Sequence, residues 1–406
     1  MRIKIPRAPM WSACLGNLFE HYDTALFGFL SPFLAPLLFP QHEPLTALVM
    51  TYAIIPLGML ARPLGSLFFG YIGDAYGRKQ ALFLTLTGMA IVSGGIACIP
   101  IATALTPLLF FFGRTLQNFL AGGETMGGAI FLLENSPKKR HDFLSGLYST
   151  TTIGGHLLAS FGVYLLSRYS IDSGWRLLYL FGCLTALFGC LIRRQVHFPP
   201  VQPPPPLGRL FWTHRKPLLS IAIAAGFSAA NYSVALVLMN GLLPLITSFT
   251  KTQIMQINSY LLIFDLCALP FFGWVASKIS REKLMLSAAL AVALFGIPLF
   301  ALLEGASLFT LIAVRTCLVL TGVAFFAPFH AWAQTILPPN ARYAVISFGY
   351  ALGSQLIGGP TAAISLWCYQ QTALVSSVSW YWIALSLASA LALTSRIQLL
   401  EKAHEH

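Results

Sequence analysis

Apolar stretches near the roughly 20 residues a helix needs to cross a bilayer recur along this chain, separated by short polar stretches. Twelve can be drawn, at 11–38, 45–69, 80–101, 106–131, 143–166, 176–192, 217–246, 258–276, 284–302, 308–331, 345–367 and 380–397. Their apolar residues run on without the alternation of a strand, so they predict helices in lipid. The longest contain Pro or Gly and are expected to bend or break. The first carries Glu20 and Asp23 and is expected to stay as a span, not to be cleaved as a leader. The fold class expected is an all-α membrane protein with twelve transmembrane helices.

Composition agrees. Of 406 residues 56% are hydrophobic and 9% charged, against roughly 25% charged in soluble domains, and the mean hydropathy is +0.73. These values exclude a soluble enzyme, a disordered chain and a disulfide scaffold. The net charge of +12 would fit a nucleic-acid binder, but the charges sit in short loops between spans. With the N-terminus in the cytoplasm, nineteen of the 25 Lys and Arg fall on the cytoplasmic side. Arg168, Arg176 and Lys251 fall outside, and Arg62, Arg114 and Arg315 lie within spans. The positive-inside rule therefore predicts cytoplasmic N- and C-termini, with the lipid bilayer and not nucleic acid as the partner of the basic charge. All seven cysteines fall in apolar spans without a C-x-x-C spacing, so no metal or cofactor is expected.

Residues 193–216 hold six prolines and five basic residues, a stiff cytoplasmic linker. It divides the chain into an N-terminal bundle of six spans (1–192) and a C-terminal bundle of six (217–406). The halves read as copies. Gly70 answers Gly273, Arg114-Thr115 answers Arg315-Thr316, Pro137 answers Pro338, and Arg140 answers Arg342, all at offsets of 201 to 203. A parallel duplication of six-helix halves is a transporter architecture, with the binding site near the midplane between the halves.

The stretch Arg62-Pro63-Leu-Gly-Ser-Leu-Phe-Phe-Gly70-Tyr-Ile-Gly73-Asp74-Ala-Tyr-Gly77-Arg78-Lys79 resembles the signature loop of the major facilitator superfamily. Its glycines permit a tight turn and close helix approach. Asp74 can hold a helix N-terminus or pair with Arg78, forming a cytoplasmic latch. The second-half copy has Ala276, Ser277 and Ser280 in place of Gly73, Asp74 and Gly77, so no second latch is expected. Gly16-Asn17-Leu-Phe-Glu20-His21-Tyr22-Asp23, Arg114-Thr-Leu-Gln117-Asn-Phe-Leu-Ala-Gly122-Gly123-Glu124 and Gly174-Trp175-Arg176 resemble the metabolite–proton symporter branch. That branch includes proline/betaine, 2-oxoglutarate, citrate and shikimate permeases. The resemblance implies two pseudo-symmetric six-helix bundles and proton-coupled uptake of a small organic solute, in a bacterial inner membrane. An exporter or antiporter on the same fold, or a non-transporting receptor, remains open.

Ionisable residues inside spans are costly and mark function by default. At about 1.5 Å per residue, Asp23 and Arg114 both lie about 18 Å from the cytoplasmic side and can pair. Glu20 is level with Arg62, and Asp265 with Arg315. Asp23 and Arg114 can couple to protons, since displacing the guanidinium raises the acid's proton affinity; a static bridge between helices is the other reading. The same choice holds for Glu20–Arg62 and Asp265–Arg315. Glu124 is expected to join the cytoplasmic gate with Arg78 or Lys79. Candidate substrate contacts are Arg114, Gln117, His156, Asn231, Arg315, Gln355 and Asp265. Buried arginines favour a ligand bearing a carboxylate, either a zwitterion or a dicarboxylate. A quaternary ammonium would want an aromatic cage, for which Tyr22, Tyr232, Tyr350 and Trp367 are available.

Overall fold

The computed structural model describes residues 7–76, 78–101, 103–122, 127–134, 136–169, 173–194 and 207–404. Among these there is no strand. In chain order the first six spans are α1 (Arg7–Leu38), α2 (Pro44–Met59, continued as Ala61–Tyr76), α3 (Arg78–Ala97), α4 (Thr106–Ala121, then Gly127–Glu134), α5 (His141–Arg168) and α6 (Trp175–Arg194). A short helix, Leu207–Thr213, precedes the second set. These are α7 (Arg215–Tyr232, a π-helical turn at Ser233–Leu238, then Met239–Ile246), α8 (Lys251–Ile279), α9 (Arg281–Ala301) and α10 (Leu308–Phe326, then Phe329–Thr335). Then come α11 (Pro339–Ala351, a π-helical turn at Leu352–Gly358, then Thr361–Thr372) and α12 (Trp380–His404).

Six of the described helical runs are long and apolar enough to cross a membrane by composition alone. α1, α3, α4, α5, α6 and α11 are not among them; of these, α4, α5 and α11 carry at least four buried polar residues each. Those residues lower the hydropathy of the helix while facing protein, as membrane helices require. The sequence placed α8 at 258–276, but it begins at Lys251, where Thr250 and Gln253 form a capping box.

The halves meet along α5 and α8. A Cβ on Gly146 of α5 would come within 2.5 Å of the Leu269 carbonyl oxygen of α8, and one on Gly273 within 2.7 Å of the Asp142 oxygen. Only glycine allows so close a crossing.

Proline explains another contact. Pro36 lacks an N–H, which leaves the Pro32 carbonyl, four residues earlier in α1, without its helical donor. Lys251 Nζ of α8 supplies one at 2.7 Å. The π turns likewise leave carbonyls to be satisfied by neighbours. In α7, Arg315 Nη2 donates to Ala235 O at 3.1 Å and the Tyr52 hydroxyl to Val237 O at 2.9 Å. In α11, the Tyr381 hydroxyl donates to Ile357 O at 2.6 Å.

Candidate functional site

Between the halves lies a cavity of about 190 Å³. α1, α2 and α5 supply one wall, with Glu20, His21, Arg62 and His156. α7, α8, α10 and α11 supply the other, with Asn231, Tyr232, Asp265, His330 and Gln355. Both π turns line it, through Ser233 and Leu236 on α7 and Ser354 and Gln355 on α11. Widened helical turns recur at functional sites because they re-aim side chains.

The predicted Glu20–Arg62 ion pair is made, buried in the wall. Around it are polar atoms with no hydrogen-bond partner among the described residues: His156 Nδ1, Asn231 Nδ2, the Tyr232 hydroxyl, His330 Nε2 and Gln355 Oε1. Buried polar atoms are nearly always paired, and these five all belong to residues that line this cavity. Asn231 is oriented by Trp382, whose Nε1 donates to its Oδ1 at 2.6 Å. His156 of α5 stacks on Tyr232 of α7 across the interface, with centroids 4.2 Å apart and planes at 30°. His21 meets the edge of His156 at 5.5 Å, and its Nδ1 donates to Asn17 O at 2.7 Å.

Arg114 and Gln117 do not line this cavity. Arg114 Nη1 donates to the backbone oxygen of Asp23 at 3.0 Å and to Gln117 Oε1 at 2.8 Å, and Nη2 to Thr24 O at 3.2 Å. Asp23 and Arg114 therefore share a level as predicted, but the guanidinium holds the backbone of α1, not the carboxylate. The carboxylate is reached indirectly. Gln117 Nε2 donates to Ser93 Oγ at 2.7 Å, and Ser93 Oγ donates to Asp23 Oδ2 at 3.4 Å. Asp23 Oδ1 has no partner among the described residues. Ser93 had no motif to announce it.

The predicted Asp265–Arg315 pair is not made. Arg315, also outside the cavity, donates to Asn258 Oδ1 at 2.5 Å, to Asn240 Oδ1 at 3.3 Å and to the Ala235 and Ile254 carbonyls. The reason is register. α8 starts seven residues earlier than the hydropathy placed it, so Asn258 stands level with Arg315, and Asp265 lies about 10 Å deeper. Asp265 reaches the cavity instead. Of the aromatic cage candidates, Tyr232 and Tyr350 line the cavity. Tyr22 turns away to donate to Leu178 O at 2.8 Å, and Trp367 is exposed.

Contacts between the halves bridge both ends of the cavity. At the end rich in basic residues, Arg281 Nε meets Asp142 Oδ1 at 2.9 Å and its Nη2 donates to Asp142 Oδ2 at 3.1 Å. Arg342 Nη1 approaches Glu134 Oε1 at 3.7 Å. Burial pushes the Asp142 carboxyl above the ordinary carboxylate range, while the Arg281 charge pulls it back. At the opposite end stand the Lys251–Pro32 bond, a Ser167–Thr252 hydroxyl contact, and Gln370 Nε2 donating to Thr46 Oγ1 at 2.9 Å. Arg281 is the counterpart of Arg78 at an offset of 203, so the degenerate second loop does form an interdomain latch, contrary to the expectation from its lost glycines. The first-loop gate is less visible. Gly77 and Glu124 lie outside the described residues, and Gly70, Gly73, Asp74, Arg78 and Lys79 are described in backbone only.

Arg281→Gln is expected to open the basic end more often. A cysteine at Gly322, on the cavity wall, in a background without native cysteines should then react several-fold faster with a membrane-impermeant thiol reagent from that end. The swap Asp142→Arg with Arg281→Asp should restore the slow rate; equal rates in all three proteins would refute the latch.

Two helical bundles with a cavity between them, bridged at both ends, have the architecture of the major facilitator fold. The chain is a multi-pass helical membrane protein with that fold. The family model described as "Sugar (and other) transporter" matches residues 10–197. The chain is 28% identical over 392 residues to a Staphylococcus haemolyticus (strain JCSC1435) protein named for proline/betaine transport, covering 92% of this chain and 84% of that one. It is 24% identical over 395 residues to the proline/betaine transporter of Escherichia coli (strain K12), covering 90% and 78%. Its fold matches a D-xylose–proton symporter at a TM-score of 0.73 with 17% identity, over 95% of this chain and 96% of that one. The xylose transporter XylE from E. coli, in a partially occluded inward-open conformation, matches at 0.72 with 15% identity, over 96% and 98%.

Proposed function

We propose that this chain takes up a small carboxylate-bearing organic solute together with protons, by alternating access, across a bacterial inner membrane with both termini cytoplasmic. The solute is a proline/betaine-type zwitterion or a 2-oxoglutarate-type carboxylate. Residues 1–192 and 217–406 are the two moving bundles and 193–216 their linker. Gly70, Gly73, Asp74, Gly77, Arg78, Lys79 and Glu124 act with Asp142–Arg281 as the cytoplasmic gate. The observation that carries the reading is the cavity between the halves, lined by polar atoms without partners. The relatives named for proline/betaine transport support the solute class.

Proton coupling rests on the buried chain Arg114–Gln117–Ser93–Asp23 and on Glu20–Arg62. Asp23 has one carboxylate oxygen unpaired in a dry bundle, a position where protonation removes the cost of a bare charge. Arginine keeps its charge, so the acids carry the proton. α1 bears Asp23 and Glu20 on adjacent turns, so a change at Asp23 can reach the cavity wall through the helix itself.

The test is uptake into proteoliposomes under an imposed inward proton gradient, with labelled proline, glycine betaine, 2-oxoglutarate, citrate and shikimate. Asp23→Asn is expected to lose at least about tenfold of gradient-driven accumulation while retaining solute exchange at equal pH. Ser93→Ala should weaken accumulation less. Accumulation of a solute that survives both an uncoupler and Asp23→Asn would refute proton coupling through this residue.

A further inference from the structure

Asp265 has no role in the reading above beyond lining the cavity. It sits midway along α8, is 6% exposed and forms part of the wall. No hydrogen bond or ion pair reaches its carboxylate among the described residues. Among the described residues, the one Lys or Arg that lines the cavity is Arg62, and Glu20 pairs with it. Of the charged side chains in that lining, Glu20 and Arg62 offset one another, and the carboxyl group of Asp265 on the other wall is left without an opposite charge among the described residues.

A bare carboxylate enclosed by protein is expensive unless a cation meets it. Among the described residues no Lys or Arg meets Asp265, and Arg114 and Arg315 are committed to the bundle cores. Tyr232 lines the same wall of the cavity as Asp265. Its ring stacks on His156 and its hydroxyl is unpartnered. Phe326 and Tyr350 extend the aromatic wall. A carboxylate beside aromatic rings binds an ammonium or quaternary ammonium group, through charge and through the ring faces.

We infer that Asp265 is the residue that binds the cationic nitrogen of the transported solute, with Tyr232 as its aromatic support, so that the cavity selects zwitterions over dicarboxylates. This rests on the cavity being the solute site, as proposed above. A dicarboxylate would bring two negative charges to a wall that already carries the Asp265 carboxyl group. A zwitterion places its nitrogen at Asp265 and leaves its carboxylate to the unpaired donors of Asn231 and Tyr232 and to Arg62. Asp265 is thus a specificity-determining residue, distinct from the proton chain at Asp23.

The test uses purified, detergent-solubilised full-length protein and equilibrium binding of three probes. Glycine betaine carries both charges, tetramethylammonium the cation alone, and 3,3-dimethylbutyrate is the isostere with carbon in place of the nitrogen. Wild type is expected to bind glycine betaine at least about tenfold more tightly than dimethylbutyrate, and to bind tetramethylammonium weakly but measurably. Asp265→Asn should lose about tenfold or more for the two nitrogen probes and leave dimethylbutyrate unchanged or improved. Asp265→Glu, which keeps the charge, should retain the preference and controls for folding, with a monodisperse size-exclusion profile required of each variant. The inference is overturned if wild type binds dimethylbutyrate as well as glycine betaine. It is also overturned if Asp265→Asn keeps the preference, or if wild type binds neither nitrogen probe. In that last case, Asp23-dependent uptake of a dicarboxylate would leave the transport reading intact. Conversely, Asp265-dependent binding without uptake into proteoliposomes would retain the inference and remove the transport reading.

Discussion

Replacing Glu20 with Gln is expected to cost about 3–5 kcal/mol of stability, because it takes the Glu20 charge away from the buried Arg62 guanidinium. Both side chains lie in the cavity wall at about 5% exposure. The loss should show as a fall in the fraction of monodisperse protein and in thermal stability in detergent. Glu20→Gln combined with Arg62→Gln removes both charges. It should recover most of the stability, since breaking a buried pair costs far more than deleting it. Transport should not recover. The pair joins α1 to α2 within the first bundle and lines the cavity, so the double variant loses a charged contact and a group able to take a proton. An unchanged melting temperature for Glu20→Gln, or a double variant no more stable than the single, would show that the pair does not hold α1 to α2. Recovery of both stability and uptake in the double variant would assign Glu20–Arg62 a purely structural role.

The contrast between that pair and Asp265–Arg315 shows which parts of the site were legible in the sequence. Hydropathy fixes which residues lie in the membrane, and charge bias predicts the side of each loop. Depth along a helix then follows at 1.5 Å per residue, provided the helix start is known. For α1 and α2 the pairing so obtained agrees with the structure. For α8 hydropathy puts the start at 258, although residues 251–257 are already helix, capped by Thr250 and Gln253. Those two turns separate the expected Arg315 pairing from the place Asp265 takes in the cavity wall. Asp23–Arg114 fails differently. The level is right, but an arginine with five donors can spend them on backbone carbonyls, and sequence spacing does not distinguish a carboxylate from the carbonyl beside it. The π turns were invisible for a related reason: Ser233–Leu238 and Leu352–Gly358 are compositionally ordinary, and the widened turns are sustained by distant donors such as Arg315, Tyr52 and Tyr381. Asp142 was passed over because it borders a run of basic residues, and its partner Arg281 is 139 residues away.

Replacing Arg315 with Leu is expected to be the most damaging single change, and Arg114→Leu to follow it. Arg315 is completely buried and serves Asn240, Asn258 and the Ala235 and Ile254 carbonyls, tying α10 to both α7 and α8. Leucine leaves those acceptors without the donor that buried Arg315 supplies, at about 1–3 kcal/mol for each acceptor left unmet. Even two such losses should lower the melting temperature by at least about 5 °C, and three or four should abolish recovery of folded protein. Lysine keeps the charge but not the planar fork, so Arg315→Lys should fold in reduced yield. The consequence for function follows from where the donors go. Ala235 belongs to the π turn that lines the cavity, so a folded Arg315→Lys protein should bind solute more weakly while its response to the proton gradient, set in the other half at Asp23, stays intact. Measuring solute affinity and the ratio of uptake with and without the gradient in the same preparation separates the two. If affinity is unchanged while the gradient response is lost, Arg315 belongs to the coupling machinery and its role as a clamp on the α7 turn is wrong.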